Sequence, residues 1–155
     1  MTFLLKHFNE FSIDELYKLL QLRVAVFIVE QNCAYLDPDD KDQQSYHLMG
    51  FDGSTLVAVT RLVPPKISYE GYASIGRVAT HSGYRGLGLG REIMEKSLEA
   101  CGRLFPGYDI KISAQTYLIP FYESLQFEKQ GPEYLEDGLP HQAMIRHSKQ
   151  NGQHS

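Results

Sequence analysis

At 155 residues with 43% hydrophobic and 22% charged side chains, the chain suits one globular domain with a substantial core. A net charge of −4 disfavours a broad basic surface and with it nucleic acid as a partner. No apolar run approaches the roughly 18 residues of a membrane span, and Met1-Thr2-Phe3-Leu4-Leu5-Lys6-His7 leads straight into charge and Asn. Neither a signal peptide nor a membrane anchor is expected, and two cysteines, Cys33 and Cys101, are too few for a disulfide framework. These features suit a reducing cytoplasm.

Weak alternation over Phe3 to Phe8 predicts a first strand. Ser12 with Glu15 three residues on is a capping box opening a helix that carries Leu16, Leu19, Leu20, Arg23, Phe27 and Glu30. Arg23, Phe27 and Glu30 fall at i, i+4 and i+7, on one helix face. Asp37-Pro38-Asp39-Asp40-Lys41-Asp42 breaks the pattern; it lacks the glycine of a calcium loop and Lys41 takes a ligand position, so it is read as a solvated acidic loop. Two strands, 45–52 and 55–63, meet at Asp52-Gly53-Ser54, a hairpin signal. Ala73 to Thr80 is a buried strand. Leu89, Ile93, Ser97, Leu98, Cys101 and Phe105 then recur at helical spacing, Cys101 as a small buried hydrophobe. A strand over 108–114, a short helix begun by Pro120, extended residues 127–130, a turn at 136–140 and a strand over 141–147 follow. The order predicts a mixed sheet with helices on both faces, one domain over 1–147 and a polar tail over 148–155.

Between the buried strand and its helix stands Arg85-Gly86-Leu87-Gly88-Leu89-Gly90-Arg91. Alternating glycines let several backbone N–H groups converge on one place beside the positive end of a helix dipole, an arrangement that suits a phosphate. A P-loop needs Gly-Lys-Ser/Thr where Gly90-Arg91-Glu92 stands, and the dinucleotide fingerprint needs a glycine where Arg91 stands. Arg-x-x-Gly-x-Gly remains, and a glycine-rich turn without ligand is its alternative.

Arg85, Gly88 and Gly90 resemble the loop of the Gcn5-related N-acetyltransferase (GNAT) family. Phe121-Tyr122-Glu123-Ser124-Leu125-Gln126-Phe127 is similar to a second segment of that family, with Gln126 where a glycine is usual. Leu22 to Gln31, Gln115 after Ala114, and Tyr134 to His141 with Met144 resemble the ElaA-like subgroup. The resemblance spans nearly the whole chain. It implies an α/β (α+β mixed) acyl-CoA N-acyltransferase fold with a mostly antiparallel central sheet, and acetyl-CoA as cofactor. Implied cofactor contacts are Val78, Ala79 and Thr80, the loop residues Arg85, Gly86, Leu87, Gly88, Gly90 and Arg91, with Gln115 and Tyr122. Tyr122 is implied near the sulfur as proton donor, and a backbone N–H near Val78 as the carbonyl's partner.

Acetyl transfer to an amine needs a base, because an amine of pKa about 10.4 is roughly a thousandth neutral at pH 7. Glu30, Glu136, Asp137 and His141 are candidates; His141 titrates nearest neutrality. Arg23, Phe27, Glu30, Arg77, Glu136, Asp137 and His141 are the expected acceptor-site residues. Arg77, charged in an apolar strand, reaches either solvent or the acceptor pocket. No covalent nucleophile and no metal-ligand spacing occurs, so direct transfer in a ternary complex without metal is expected. The carboxylates suit a cationic primary amine. A non-catalytic acyl-CoA-binding module on the same fold is the alternative, and the oligomeric state is not encoded legibly.

Overall fold

The computed structural model describes residues 1–148; residues 149–155, most of the expected polar tail, lie outside the described residues. Helix α1 (Ile13–Arg23) starts at the capping box, with the Ser12 hydroxyl accepting from Glu15 N and the Glu15 carboxylate accepting from Ser12 N. It then widens into a π-helical turn, Val24–Glu30. The wider i→i+5 winding turns residues 24–30 away from the α-helical register, so Glu30 leaves the face that Arg23 occupies.

The strands are β1 (Thr2–His7), β2 (Tyr46–Asp52), β3 (Thr55–Val63), β4 (Tyr72–Thr80), β5 (Asp109–Gln115), β6 (Glu128–Lys129), β7 (Tyr134–Glu136) and β8 (Leu139–Arg146). Helix α2 (Leu89–Leu104) follows β4, and α3 (Ile119–Glu123), with Pro120 in its first turn, follows β5. The sheet runs β1-β2-β3-β4-β5-β8-β6, with β7 also on β8. All pairs are antiparallel except β4–β5. The expected mixed sheet is thus found, with β7 as a strand beyond those expected.

Alternation along the strands splits the core in two. Leu48, Val57, Leu62, Ile75 and Ile112 pack with Leu89, Ile93, Met94 and Cys101 of α2, and with Tyr122 and Phe127. Met49, Val59 and Ala79 pack with Leu19, Leu22 and Val26 on the other face. Gln126 adopts φ 72, the left-handed conformation that glycine takes at no steric cost. The turn into β6 therefore keeps its glycine-type backbone despite the side chain.

Two irregularities make room for a site. In β4, Val59↔Ala79 is followed by Arg61↔Gly76, so three steps of β4 oppose two of β3. Arg77 sits in this bulge at φ 48. Strands β4 and β5 pair only at Tyr72↔Asp109 and Ala73↔Ile110, while β5 goes on pairing with β8 as far as Gln115↔His141. Past Ala73 the two parallel strands separate and leave their facing edges open.

The acidic segment is not solvated, contrary to its expectation. Asp37 and Asp42 are 2% and 6% exposed, and with Asp39 they alternate with three arginines in a closed ring. Arg23 Nε meets Asp37 at 2.8 Å, Asp37 meets Arg77 Nε at 2.7 Å, and Arg77 Nη2 meets Asp39 at 3.3 Å. Asp39 meets Arg61 Nη1 at 2.7 Å, Arg61 Nη1 meets Asp42 at 3.1 Å, and Asp42 meets Arg23 Nη1 at 2.8 Å. Three charges of each sign cancel, which is what allows their burial. The arginines come from α1, β3 and β4, so no local pattern announces the ring. Buried beside it, the His47 ring places Nε2 3.0 Å from the Asp42 carbonyl, while Nδ1 has no partner among the described residues.

Removing one member strands the others in a dry interior. Asp42→Asn should lower stability by about 3–5 kcal/mol in urea unfolding. Burial pushes the His47 pKa below its ordinary 6.5. The unfolded chain then binds a proton that the native one resists, so stability falls as pH drops below about 6.5; His47→Gln should flatten that limb. Burial opposes ionisation of Asp39, but Arg61 outweighs it and carries its carboxyl down to about 2. That contribution is complete above the ordinary 3.8 and is lost as pH falls toward about 2. Urea midpoints across pH 2–8 check both limbs. At the turn before β6, Gln126→Gly should leave stability unchanged or raise it by up to about 1 kcal/mol.

Candidate active site

The open edges of β4 and β5 enclose a cleft of about 470 Å³, closed at one end by the π-helical turn and at the other by the β7–β8 hairpin. Of the residues expected from the sequence, Phe27, Glu30, Arg77, Val78, Thr80, Arg85, Gln115, Tyr122, Glu136, Asp137 and His141 line it. Arg23 does not: it is 1% exposed and bonded to Asp37 and Asp42, so the acceptor role expected for it is replaced by a role in the ring. Ala79, 1% exposed, packs in the core on the α1 face, leaving only its backbone for any ligand contact. A second cavity of about 600 Å³ lies between α2 and the α3–β8 side; it takes in Arg91 but none of the other residues expected to do chemistry.

Gly86, Leu87, Gly88 and Gly90 do not line the cleft but follow Arg85, which does; Gly88 is the N-cap of α2 at φ 77, and it has no side chain to bond the first-turn N–H groups. Gly86 is at φ 80, and an added Cβ at either glycine would meet nothing within 4 Å. Leu87 is 75% exposed, and Gly90 approaches the Thr80 hydroxyl. The loop is therefore an open row of backbone donors at a positive dipole end, which fits a diphosphate-bearing ligand such as coenzyme A. Arg91, two residues into α2, contacts Ser124 and lies 3.6 Å from Glu95.

Arg85 bridges the two sides of the cleft. Its guanidinium forks onto the Glu30 carboxylate, one contact being 2.9 Å, and donates to the Thr80 carbonyl at 2.8 Å. The Arg85 hydrogen bond holds Glu30 below the usual carboxylate range. While that pair is made, the carboxylate is a weak proton acceptor.

His141 is 7% exposed and differently placed. Its Nδ1 lies 2.8 Å from the Leu139 carbonyl, which can only accept, so Nδ1 carries a hydrogen and, in the neutral ring, Nε2 carries the lone pair. Nε2 stands 3.7 Å from Glu136, and Tyr134 stacks on the ring at 6.2 Å. The Ser113 hydroxyl contacts Tyr134 and donates to Glu136 at 3.1 Å. Ser113 and Tyr134 were not expected in the site. Ser113 was findable, since it shares the alternate face of β5 with Gln115; Tyr134 depends on β7, too short to read in sequence.

Tyr122 is 8% exposed, wedged edge-on between Phe121 and Phe127. Burial pushes its phenol up to about 12, so it stays protonated through the neutral range. Its hydroxyl makes no hydrogen bond among the described residues and its side chain faces the cleft.

A glycine-loop helix, splayed parallel strands and a cleft between them are the features of an acyltransferase fold, and the comparisons agree. Residues 22–147 match the family model described as an acetyltransferase (GNAT) domain. The chain belongs to the GNAT acetyltransferase family. It is 40% identical to protein ElaA of Escherichia coli over 142 residues, 90% of this chain and 92% of that one. The crystal structure of E. coli ElaA superposes with TM-score 0.88 at 38% identity over 94% of this chain and 98% of that chain. That of an acyl-CoA N-acyltransferase from Pseudomonas aeruginosa does so with TM-score 0.89 at 40% identity and the same coverage. The resemblance to the ElaA-like subgroup holds over the whole fold, and no helix among the described residues is long and apolar enough to cross a membrane.

The Glu30–Arg85 pair lies at the exposed edge of the cleft. Glu30→Gln should leave stability within about 0.5 kcal/mol, since both side chains are 41% exposed. Thermal unfolding against the parent protein checks it.

Proposed function

We propose that the chain is an acetyl-CoA-dependent N-acetyltransferase that transfers the acetyl group directly to a primary amine. The observation that carries this reading is that one cleft combines, with the uncapped helix N-terminus that follows Arg85, a free strand edge at β4, a proton acceptor at His141 and a proton donor at Tyr122. Acetyl-CoA supplies the acetyl group as a thioester.

The backbone donors of Gly86 to Gly90 and the Arg85 guanidinium hold the diphosphate, which requires Arg85 to leave Glu30. The unpaired edge at Val78 to Thr80 accommodates the pantetheine amides as an added strand would, with Gln115 across the cleft. His141 Nε2 takes the proton from the incoming ammonium; Glu136, alongside, stabilises the imidazolium that results. A backbone N–H near Val78 is positioned for the negative charge that gathers on the acetyl oxygen. A nitrogen–carbon bond forms, the carbon–sulfur bond breaks, the Tyr122 phenol supplies the proton to the departing sulfur, and the second proton lost by the newly acylated nitrogen returns to the Tyr122 phenolate. Cys33 lines the cleft, but its sulfur meets the Asp137 carbonyl at 3.8 Å and no acid or base side chain among the described residues, which supports a ternary complex over a ping-pong route.

Release of free coenzyme A from acetyl-CoA with a panel of amines tests the reading. Acetyl-CoA binding without release for any amine would leave a binding module instead. His141→Gln should lower kcat/KM by about 100-fold or more, with acetyl-CoA affinity unchanged. Tyr122→Phe should lower kcat and spare acetyl-CoA affinity; equal turnover would remove its acid role. Gly88→Glu sets bulk and negative charge in the donor row and should abolish acetyl-CoA binding in calorimetry, while undiminished affinity would show the loop to be misassigned.

A further inference from the structure

We propose that the acceptor is a small aminocarboxylate, a free amino acid or a compound of similar size, and that Arg77 Nη1 binds its carboxylate. This rests on the acetyltransferase reading and names the substrate class for the same site.

The ion-pair ring contains three arginines, and they are not equivalent. Arg23 and Arg61 are 1% and 5% exposed and face inward, whereas the Arg77 side chain is 22% exposed and lines the cleft. Its Nε meets the Asp37 carboxylate, and its Nη2 meets the Asp37 carbonyl at 2.9 Å and Asp39 at 3.3 Å. Nη1 bonds to nothing among the described residues. A guanidinium has five N–H groups, so two donors are left over at the edge of a half-enclosed site.

Those donors are fixed in place. The bulge at φ 48 sets the direction of the side chain, two aspartates clamp one edge of the guanidinium, and its plane lies over the Tyr35 ring at 5.7 Å. A group already immobilised loses little entropy on binding and is suited to recognising a planar anion. The opposite side of the cleft has the reverse chemistry: His141 Nε2, Glu136 and the Ser113 hydroxyl accept protons or hydrogen bonds and suit an ammonium group.

The cleft is thus bipolar, with a fixed donor on β4 and acceptors on β8 and the β7–β8 turn. A polyamine would set a second ammonium against Arg77; an aminocarboxylate satisfies both sides. A space of about 470 Å³ also suits a small acceptor.

The experiment compares matched products, so it does not depend on turnover. N-acetyl amino acids and the corresponding N-acetyl amines lacking the carboxylate are titrated into the protein saturated with coenzyme A, with calorimetry as readout. The carboxylates should bind at least about tenfold more tightly, the value of one charge-assisted hydrogen bond. Arg77→Lys should bring the ratio close to one. Equal or tighter binding of the carboxylate-free products to the wild-type protein overturns the proposal, and that comparison needs no variant to fold. Coenzyme A release with simple amines but not amino acids would also overturn it while leaving the acetyltransferase reading intact. Preferential carboxylate binding with no coenzyme A release from any acceptor would support the subsite and sink the reading of the reaction.

Discussion

The ring of Arg23, Asp37, Arg77, Asp39, Arg61 and Asp42 is the interaction on which the acceptor side of this molecule depends. The segment joining the π-helical turn to β2 has few apolar residues of its own to bury; Leu36 is 80% exposed. The ring ties this segment to α1, β3 and the β4 bulge, and so fixes one wall of the cleft. Neutrality makes its burial tolerable, and closure leaves each aspartate with two arginines, so every charge has a counter-charge on both sides. A well-packed apolar replacement would serve stability as well, but it would not aim a guanidinium at the cleft.

The cleft itself comes from a departure in the sheet. A regular β4 paired along its length with β5 would seal the two edges that a ligand needs. The extra residue at the bulge bends β4, and the pair ends after two residues. Arg77 serves both features at once: its backbone occupies the bulge and its side chain joins the ring to the cleft. The strain of φ 48 in a non-glycine residue is held by the two aspartates on its guanidinium, so folding of the acidic segment and shaping of the site are one event.

Much of the fold was legible because it rests on local signals. The Ser12–Glu15 capping box, the Asp52-Gly53 hairpin, Pro120 at a helix start and the periodicity of α2 all act within a few residues, and each stands where the sequence placed it. The acidic segment misled because burial of a carboxylate is decided by what faces it; Arg61 is 19 residues from Asp42 and Arg77 is 40 from Asp37. The placement of Arg23 failed for a related reason: Asp37 and Asp42, 14 and 19 residues further on, hold its side chain in the ring.

The sequence by itself determined the element order, the glycine loop at the start of α2 and the family to which the chain belongs, because backbone conformation and helix capping are short-range. It also named eleven of the twenty-three residues that line the cleft. Only the tertiary structure decided what each of them can do. Hydrogen bonding to Arg85 holds Glu30 ionised, the Leu139 carbonyl puts a hydrogen on His141 Nδ1, burial keeps Tyr122 protonated, and a ring closed across four segments leaves Arg77 Nη1 without a partner among the described residues. Protonation and charge depend on neighbours within a few ångströms, and in this fold those neighbours come from distant parts of the chain.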